Sequence, residues 1–380
     1  MALSVAQREA VRDVEVISAR EADSRTLRQQ VAARLSRLLY WDAACICTVD
    51  PWTLLVTDEI SYGIPPEMHE HAAHNEYLVD DVHKFATIAR SGAVVAIMGR
   101  APRELRDGSP RLQTIMPLID ARHEVRVACT VDGQCWGAIA MFRTGVQPDF
   151  SCADAALLQA VAAPLAAGLR RTAYRPGGVV GITPDRAGPG VLILGPHGET
   201  LAANDAAYHW LDELMPAQPR GADGLPVAIH QVAARVRAGL AEPGVTGPHQ
   251  KDLEHAPGWT SGAYARLRAR SGRWMTVHGS PAGGSLIQSQ GTAVVIEAAP
   301  ASDIAQLLML AYGLTPRERE VLQRVVAGTP SSAIAAGLRI SANTVQDHLK
   351  SIFAKVGVGS RGQLVARVIG EHYSLGVSDQ

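Results

Sequence analysis

Two groups of side chains in the N-terminal half are of types that hold metals or exchange electrons. His69, His71, His74 and His83 fall within EMHEHAAHNEYLVDDVH, and imidazole ligates metal ions and haem. Their spacing matches no ligand signature, so solvated or core histidines are expected, no metal site is assigned, and no cofactor can be named. The five cysteines (Cys45, Cys47, Cys129, Cys135, Cys152) lie within the first 152 residues. An odd count argues against a disulfide framework, and the common zinc layouts need a C-x₂-C pair that this chain lacks. Cys45 and Cys47 would share one strand face, with Cys129 on the apolar face of a hairpin. They read as small buried hydrophobes, with thiol redox chemistry as the alternative. Arg266, Arg268 and Arg270 line one face of a strand and read as solvated sheet surface. Trp41, Tyr77, Phe85 and Trp136 are the rings expected to line a ligand pocket.

A third group lies near the C-terminus. Between Ser341 and Gly357 the apolar residues Val345, Leu349, Ile352 and Val356 recur at helical spacing. Placing them inward turns Asn343, Thr344, Gln346, Asp347, Lys350, Ser351 and Lys355 outward. Gln can bond adenine N6 and N7, Lys guanine O6 and N7, and Asp can accept from cytosine N4. A helix carrying such a face can read base edges in the major groove, about 12 Å wide. The local charge suits an anionic polymer. From Thr315 to Gly370 eight basic residues oppose three acidic ones, a net of +5 in a chain whose formal charge is −1. The positive field is therefore concentrated at this end.

The elements that would position this face are marked by capping signals. Thr315-Pro316-Arg317-Glu318 is a capping box with proline at the first helical position. Val321, Leu322, Val325 and Val326 make its buried face, and Gly328 its stop. A short helix follows Thr329-Pro330, carries Ile334 and Ala335, and is expected to stop at Gly337. Ser341 caps the polar-faced helix and Gly357 ends it. Ser360-x-x-Gln363 opens a fourth helix with Leu364, Val365, Val368 and Ile369. Four short capped helices, the middle two joined by a tight turn, predict a helix-turn-helix unit.

The segment Leu314–Val368 closely resembles the LuxR/NarL-type helix-turn-helix family. The resemblance rests on the Leu-Thr-Pro-Arg-Glu opening, Glu318, Leu322, Gly328, Ile334-Ala335, Ser341-x-Asn343-Thr344-Val345, His348-Leu349, Ile352 and Lys355-x-Gly357. It implies that the third helix enters the major groove and that Gln346, Asp347 and Lys350 occupy base-reading positions. The sequence departs from the family pattern at Gln346 and Asp347, and at Ser331-Ser332, where a lysine is common. A narrower site preference and weaker non-specific binding are the expected result.

Upstream, Leu27, Val31, Leu35 and Leu38 predict an amphipathic helix over Arg20–Leu39. Val125, Val127, Cys129 and Val131 alternate with Arg126, Ala128 and Thr130. Asp132-Gly133 then turns the chain into an apolar strand over Cys135–Phe142, a hairpin signal. Asp154–Arg170 reads as a helix. This stretch, about residues 20–171, resembles a GAF domain. Tyr174–Gly190, rich in Pro, Gly and Arg, reads as a linker. Residues 188–298 resemble a PAS domain. Strands are expected at Val191–Leu194 and Thr200–Ala203, then a helix capped by Asn204 or Asp205. A loop is expected over Gly244–Gly262, and later strands at Ala263–Arg270, Arg273–Ser280 and Thr292–Glu297. Both resemblances imply an antiparallel sheet whose helices enclose an apolar pocket for a small molecule.

The predicted fold class is therefore α+β multidomain: GAF-like and PAS-like antiparallel sheets, a linker helix over 303–313, and an all-α four-helix unit over 314–372. No apolar run reaches the roughly 18 residues of a membrane span, and the charged N-terminus lacks a signal-peptide core. Those readings, with no Walker loop, Gly-x-Ser-x-Gly or zinc-protease motif, point to a cytoplasmic regulator and not an enzyme. Its expected partners are double-stranded DNA, a second copy of the chain and a small-molecule ligand. A haem or thiol redox signal, or a protein partner on the sensor domains, is the alternative.

Overall fold

The computed structural model describes residues 3–174, 188–214, 223–241, 263–269, 271–284, 287–300, 303 and 312–365. Of the expected linker Tyr174–Gly190, residues 175–187 lie outside these, while Tyr174 belongs to a helix and Gly190 to a strand. The expected loop Gly244–Gly262, nearly all of the 303–313 link and residues 366–372 lie outside them too. Contacts divide the chain into two units, one drawn from residues 1–178 and 186–298, the other from 179–185 and 299–380. The class is the expected one: two five-stranded antiparallel sheets in the first unit and a helical second unit.

The first sheet comprises β1 (Ala43–Val49), β2 (Val56–Tyr62), β3 (Val95–Ile97), β4 (Ala121–Val131) and β5 (Gln134–Thr144), ordered β2-β1-β5-β4-β3. The second comprises β6 (Gly190–Leu194), β7 (Thr200–Ala203), β8 (Ala263–Arg268), β9 (Trp274–Gly284) and β10 (Ile287–Ala298), ordered β7-β6-β10-β9-β8. Counted within each sheet, the order is the same: second, first, fifth, fourth, third. The β4–β5 turn is the one expected, with Asp132 and Gly133 at φ 50° and 74°. The two-faced pattern expected for β4 is not found, because residues 124–129 are all buried. Both faces of this strand are covered, so alternation carries no in-or-out meaning there.

One face of the first sheet is closed by α1 (Val5–Arg20), α2 (Ser24–Leu35) and α6 (Cys152–Tyr174). The helix expected over Arg20–Leu39 is found shorter, as α2, and is preceded by a separate helix, α1. Asp23 caps α2, accepting from the Thr26 N–H at 2.7 Å, and Leu38 is exposed while Leu27, Val31 and Leu35 are buried. The helix α1 buries only Ala10, Val14 and Ser18, a stripe too narrow to mark it by periodicity, but its start does carry a local signal: Ser4 and Gln7 form a capping box. The helix α6 corrects a second expectation. Cys152–Ala173 is long and apolar enough to cross a membrane by length and composition. Here Leu157, Leu158, Val161, Leu165 and Leu169 are buried in the core. A helix between a sheet and two other helices is apolar around most of its circumference.

The opposite face carries α3 (Glu67–Leu78), α4 (Phe85–Ser91) and the chain around α5 (Arg103–Asp107). Much of it is polar. Arg111 donates to Glu124 at 3.0 Å, to Asn75 at 3.2 Å and to the Val82 carbonyl at 2.8 Å. Arg126 donates to Glu124 and to Glu76, each at 2.8 Å. Asp81 accepts from Asn75, Ser109 and the Arg111 N–H. Arg111, Glu124, Arg126 and Asn75 are all buried. On this face, where the resemblance implies an apolar pocket, these residues form a buried ion network whose members bond one another.

On the second sheet, α7 (Asp205–Leu214) and α8 (Val227–Ala241) cover one face. Asn204 begins α7 by accepting from the Ala207 N–H at 2.9 Å. Ala207, Trp210, Leu211 and Leu214 are its buried face, as expected. The helix α8 had no distinct amphipathic stripe to announce it, since nearly every residue from Val227 to Val236 is buried. It packs on β8, β9 and β10 and also on α3 and β2 of the first sheet. The two sheets are thus joined, and Arg266 seals the join. Its guanidinium meets the Asp50 carboxylate twice at 2.9 Å, and its N–H donates to the same group at 3.1 Å. Arg266 is buried with its partner, which corrects the solvated face expected for the arginine row. Arg268 is half-buried and donates to the Gly272 carbonyl, while Arg270 lies outside the described residues.

Candidate nucleic-acid interface

Four helices make up the described part of the second unit: α9 (Pro316–Val326), α10 (Ser331–Leu338), α11 (Ala342–Val356) and α12 (Arg361–Val365). Three of their starts follow the capping chemistry, while α10 begins after Pro330 with no side-chain cap. The Thr315 hydroxyl accepts from the Glu318 N–H at 3.3 Å, and the Thr315 N–H donates to Glu318 at 2.7 Å. Ser341 accepts from the Thr344 N–H at 3.0 Å and Ser360 from the Gln363 N–H at 3.2 Å. The Gln363 side chain reaches the Gly359 N–H, one residue earlier than a full capping box. Val321, Leu322, Val325, Ile334, Ala335, Val345, Leu349, Ile352, Val356 and Leu364 form one core, while Val326 is half-buried.

One stop differs from expectation. The helix α10 runs through Gly337 to Leu338 and ends at Arg339, which holds φ 55° and ψ 45°. The Ile340 N–H bonds the Ala335 carbonyl and the Arg339 N–H that of Ala336. These are the paired bonds of a Schellman end, with arginine where glycine is usual. At Gly337 an added Cβ would meet only the tip of the Arg324 side chain, so the glycine does not dictate the stop.

On α11 the seven polar residues divide. Asn343, Gln346, Asp347 and Lys350 are exposed, and their spacing places them along one side of the helix. Thr344 is half-buried and shares a hydrogen bond with Ser341 at 2.8 Å. Ser351, half-buried, and Lys355, still exposed, are bonded back to the unit: Ser351 donates to Glu318 at 2.6 Å, and Lys355 donates to Glu318 at 2.7 Å and the Gly313 carbonyl at 3.2 Å. Glu318, read from sequence as a cap, therefore also fixes the far half of α11. Burial opposes its charge, but Lys355, Ser351 and the Thr315 N–H outweigh it and lower its pKa to about 2.

Two more cations serve as helix ties. Arg317 donates to the Leu338 carbonyl at 2.5 Å and pairs with Glu320 at 2.6 Å. Arg361 donates to the Thr329 carbonyl at 2.7 Å. Nothing in a linear sequence separates such ties from free surface cations. His348 is half-buried.

The sensor-side residues are dispersed. Trp136 is buried in β5, and Phe85 lies under the Arg126 guanidinium at 4.5 Å. Tyr77 packs on the core of the second sheet, where burial raises its pKa far above the usual phenol range. Trp41 is half-buried just before β1. A pocket of about 320 Å³ lies among α4, β3 and the start of α6, lined by His83, Thr87, Ile88, Ala96 and Arg100 among others. None of the four aromatics lines it. Among the histidines, His71 and His74 are exposed and His83 half-buried, while His69 is buried and bonds Glu59 at 3.1 Å.

Comparison with known proteins places the similarity in the second unit. The family described as "Bacterial regulatory proteins, luxR family" matches residues 313–368. The probable HTH-type transcriptional regulator GfsR of Streptomyces halstedii is 39% identical over 57 residues, 15% of this chain and 24% of that protein. The probable transcriptional regulatory protein NarL of Mycobacterium tuberculosis is 41% identical over 56 residues, 15% of this chain and 26% of that one. The chain thus spans about a quarter of the length of these relatives. Among solved structures, a GAF domain/HD domain protein from Geobacter sulfurreducens aligns with 40% of this chain and 94% of its own. Its identity of 16% and TM-score of 0.29 are too low to establish a shared fold. The matched family, the relatives and the four helices coincide in the same residues: over 313–368 this chain carries a helix-turn-helix domain of the luxR family.

Proposed function

We propose that the protein is a cytoplasmic transcription regulator that binds operator DNA as a homodimer and is controlled by a small molecule bound to its two-sheet unit. The observation that carries the DNA reading is the exposed row Asn343, Gln346, Asp347 and Lys350 on α11, opposite a fully apolar stripe. The row combines amide, carboxylate and ammonium groups at the spacing that major-groove readout uses. Ser351 and Lys355, tied to Glu318, act as supports of that helix and not as base readers. Pairing two copies multiplies the modest affinity of one helix per half-site. Family proteins with this domain regulate transcription, which favours a regulator over an enzyme.

The test is a selection of bound sequences from a random duplex library by the full chain, followed by affinity measurements with variants. Asp347→Ala is expected to relax the preference at one base pair of each half-site. Lys350→Ala should cost about 1–3 kcal/mol at the preferred site. Uniform weakening of all sequences by Asp347→Ala would sink the readout role. A chain that stays monomeric at micromolar concentration, with DNA and without it, would sink the dimer.

A further inference from the structure

Antiparallel pairing brings together, on the first sheet, a set of donors that no spacing in the sequence reveals. In the β1–β2 register Cys45 lies opposite Ser61 and Cys47 opposite Glu59. Alternation along both strands places all four on one face. One donor atom each from Cys45, Cys47 and Glu59 lie within 4.8 Å of one another. Cys47 and Glu59 are buried and Cys45 is half-buried, and all the described cysteines are free thiols. Glu59 turns Oε1 to the Ser61 hydroxyl and to His69 Nε2 at 3.1 Å, while Oε2 faces the Cys47 sulfur at 3.9 Å. His69 is itself fixed by the Pro66 carbonyl at 3.0 Å. Cys129 does not belong to this group. It pairs with Gly137, whose added Cβ would meet Leu169 of α6, so it faces the helical side.

We infer that Cys45, Cys47 and Glu59 form a binding site for a thiophilic divalent cation of the zinc type, with His69 orienting the Glu59 carboxylate from behind. Two sulfurs and one oxygen suit such an ion better than magnesium or calcium, which prefer all-oxygen shells. Bond lengths of about 2.3 Å to sulfur and about 2.0–2.2 Å to oxygen bridge donor separations of this size with small side-chain shifts. The His69–Glu59 contact is the arrangement by which an outer partner holds a ligand in place. Three protein ligands leave one position for water or an outside donor, as in open metal sites. Binding replaces the two thiol protons, which pass to solvent, and the sulfurs bind as thiolates. The site also has a route to the rest of the molecule: Cys47 packs with Val227, at the start of α8, which spans both sheets.

The full chain, reduced and stripped with a chelator, is titrated with cobalt(II) and then with zinc(II). One equivalent of cobalt per chain with a thiolate-to-metal charge-transfer band, displaced by zinc, is the expected result. The band should fall to about half in Cys45→Ser, whose half-buried position tolerates the change, vanish when Cys45 and Cys47 are both replaced by serine, and persist undiminished in Cys129→Ser and Cys152→Ser. Circular dichroism of the metal-free variants shows that each is folded. Glu59→Gln and His69→Gln should keep a thiolate band while zinc affinity falls, by about 10–100-fold for the outer-shell His69. Folded wild-type protein that gives no thiolate band overturns the site. A band that survives loss of both Cys45 and Cys47 does the same, because the ion then sits on other thiols. Unchanged zinc affinity in His69→Gln removes its orienting role.

Discussion

At the scale of single residues, Glu318 has more consequence than its place in a capping motif suggests. It accepts from the Thr315 N–H, Ser351 and Lys355, and so ties the start of α9 to the outer half of α11. Its pKa near 2 in the folded chain compares with about 4.3 for an unperturbed glutamate. A depressed carboxylate stabilises the fold fully above the unfolded value, and that contribution fades as pH falls from about 4.3 towards 2. Hydrogen exchange of the α9 and α11 amides should therefore accelerate over that interval. Glu318→Gln should flatten this dependence and weaken protection at neutral pH by about 1–3 kcal/mol. Exchange with the same pH profile in both proteins would show that the carboxylate contributes nothing.

At the scale of elements, local chemistry set most helix starts and only some of the ends. Thr315, Ser341 and Asn204 act as caps because a short polar side chain beside a helix start has one obvious set of donors to accept from. Ends depend more on packing. Gly337 was the plausible stop of α10, yet the chain reverses at Arg339, where Ile340 joins the core of the unit. Arginine in a left-handed conformation carries a backbone cost that glycine avoids. Arg339→Gly should therefore raise the stability of the helical unit by about 0.5–1 kcal/mol, measured by denaturant melting. A loss of stability would mean that the arginine side chain makes a compensating contact.

At the scale of the whole molecule, the two sheets of the first unit are joined through a buried ion pair. Asp50 and Arg266 are far apart in sequence, yet the carboxylate and guanidinium meet at 2.9 Å with both side chains buried. Burial alone would raise the Asp50 pKa, but Arg266 keeps it below the ordinary carboxylate value. Asp50→Ala leaves a buried guanidinium without its counter-charge, and removal of one partner of such a pair typically costs about 3–5 kcal/mol. Thermal unfolding of the first unit should fall accordingly, with one cooperative transition splitting into two. An unchanged single transition would show that α8 packing alone couples the sheets.

What the sequence by itself determined is therefore local. The capped helices, the apolar stripe Val345, Leu349, Ile352 and Val356, and the Asp132-Gly133 hairpin each depend on residues within a few positions of one another. The polar row of α11 was legible for the same reason, because one helix fixes which residues share its side. Tertiary structure alone decided which of those side chains are tied back to the unit, since only the packing of α9 against α11 brings Glu318 to Ser351 and Lys355. It also decided that the arginine row of β8 is partly buried and that Cys45, Cys47, Glu59 and His69 converge. Strand register and sheet docking bring distant residues within bonding range, and neither is written in the spacing of any one segment.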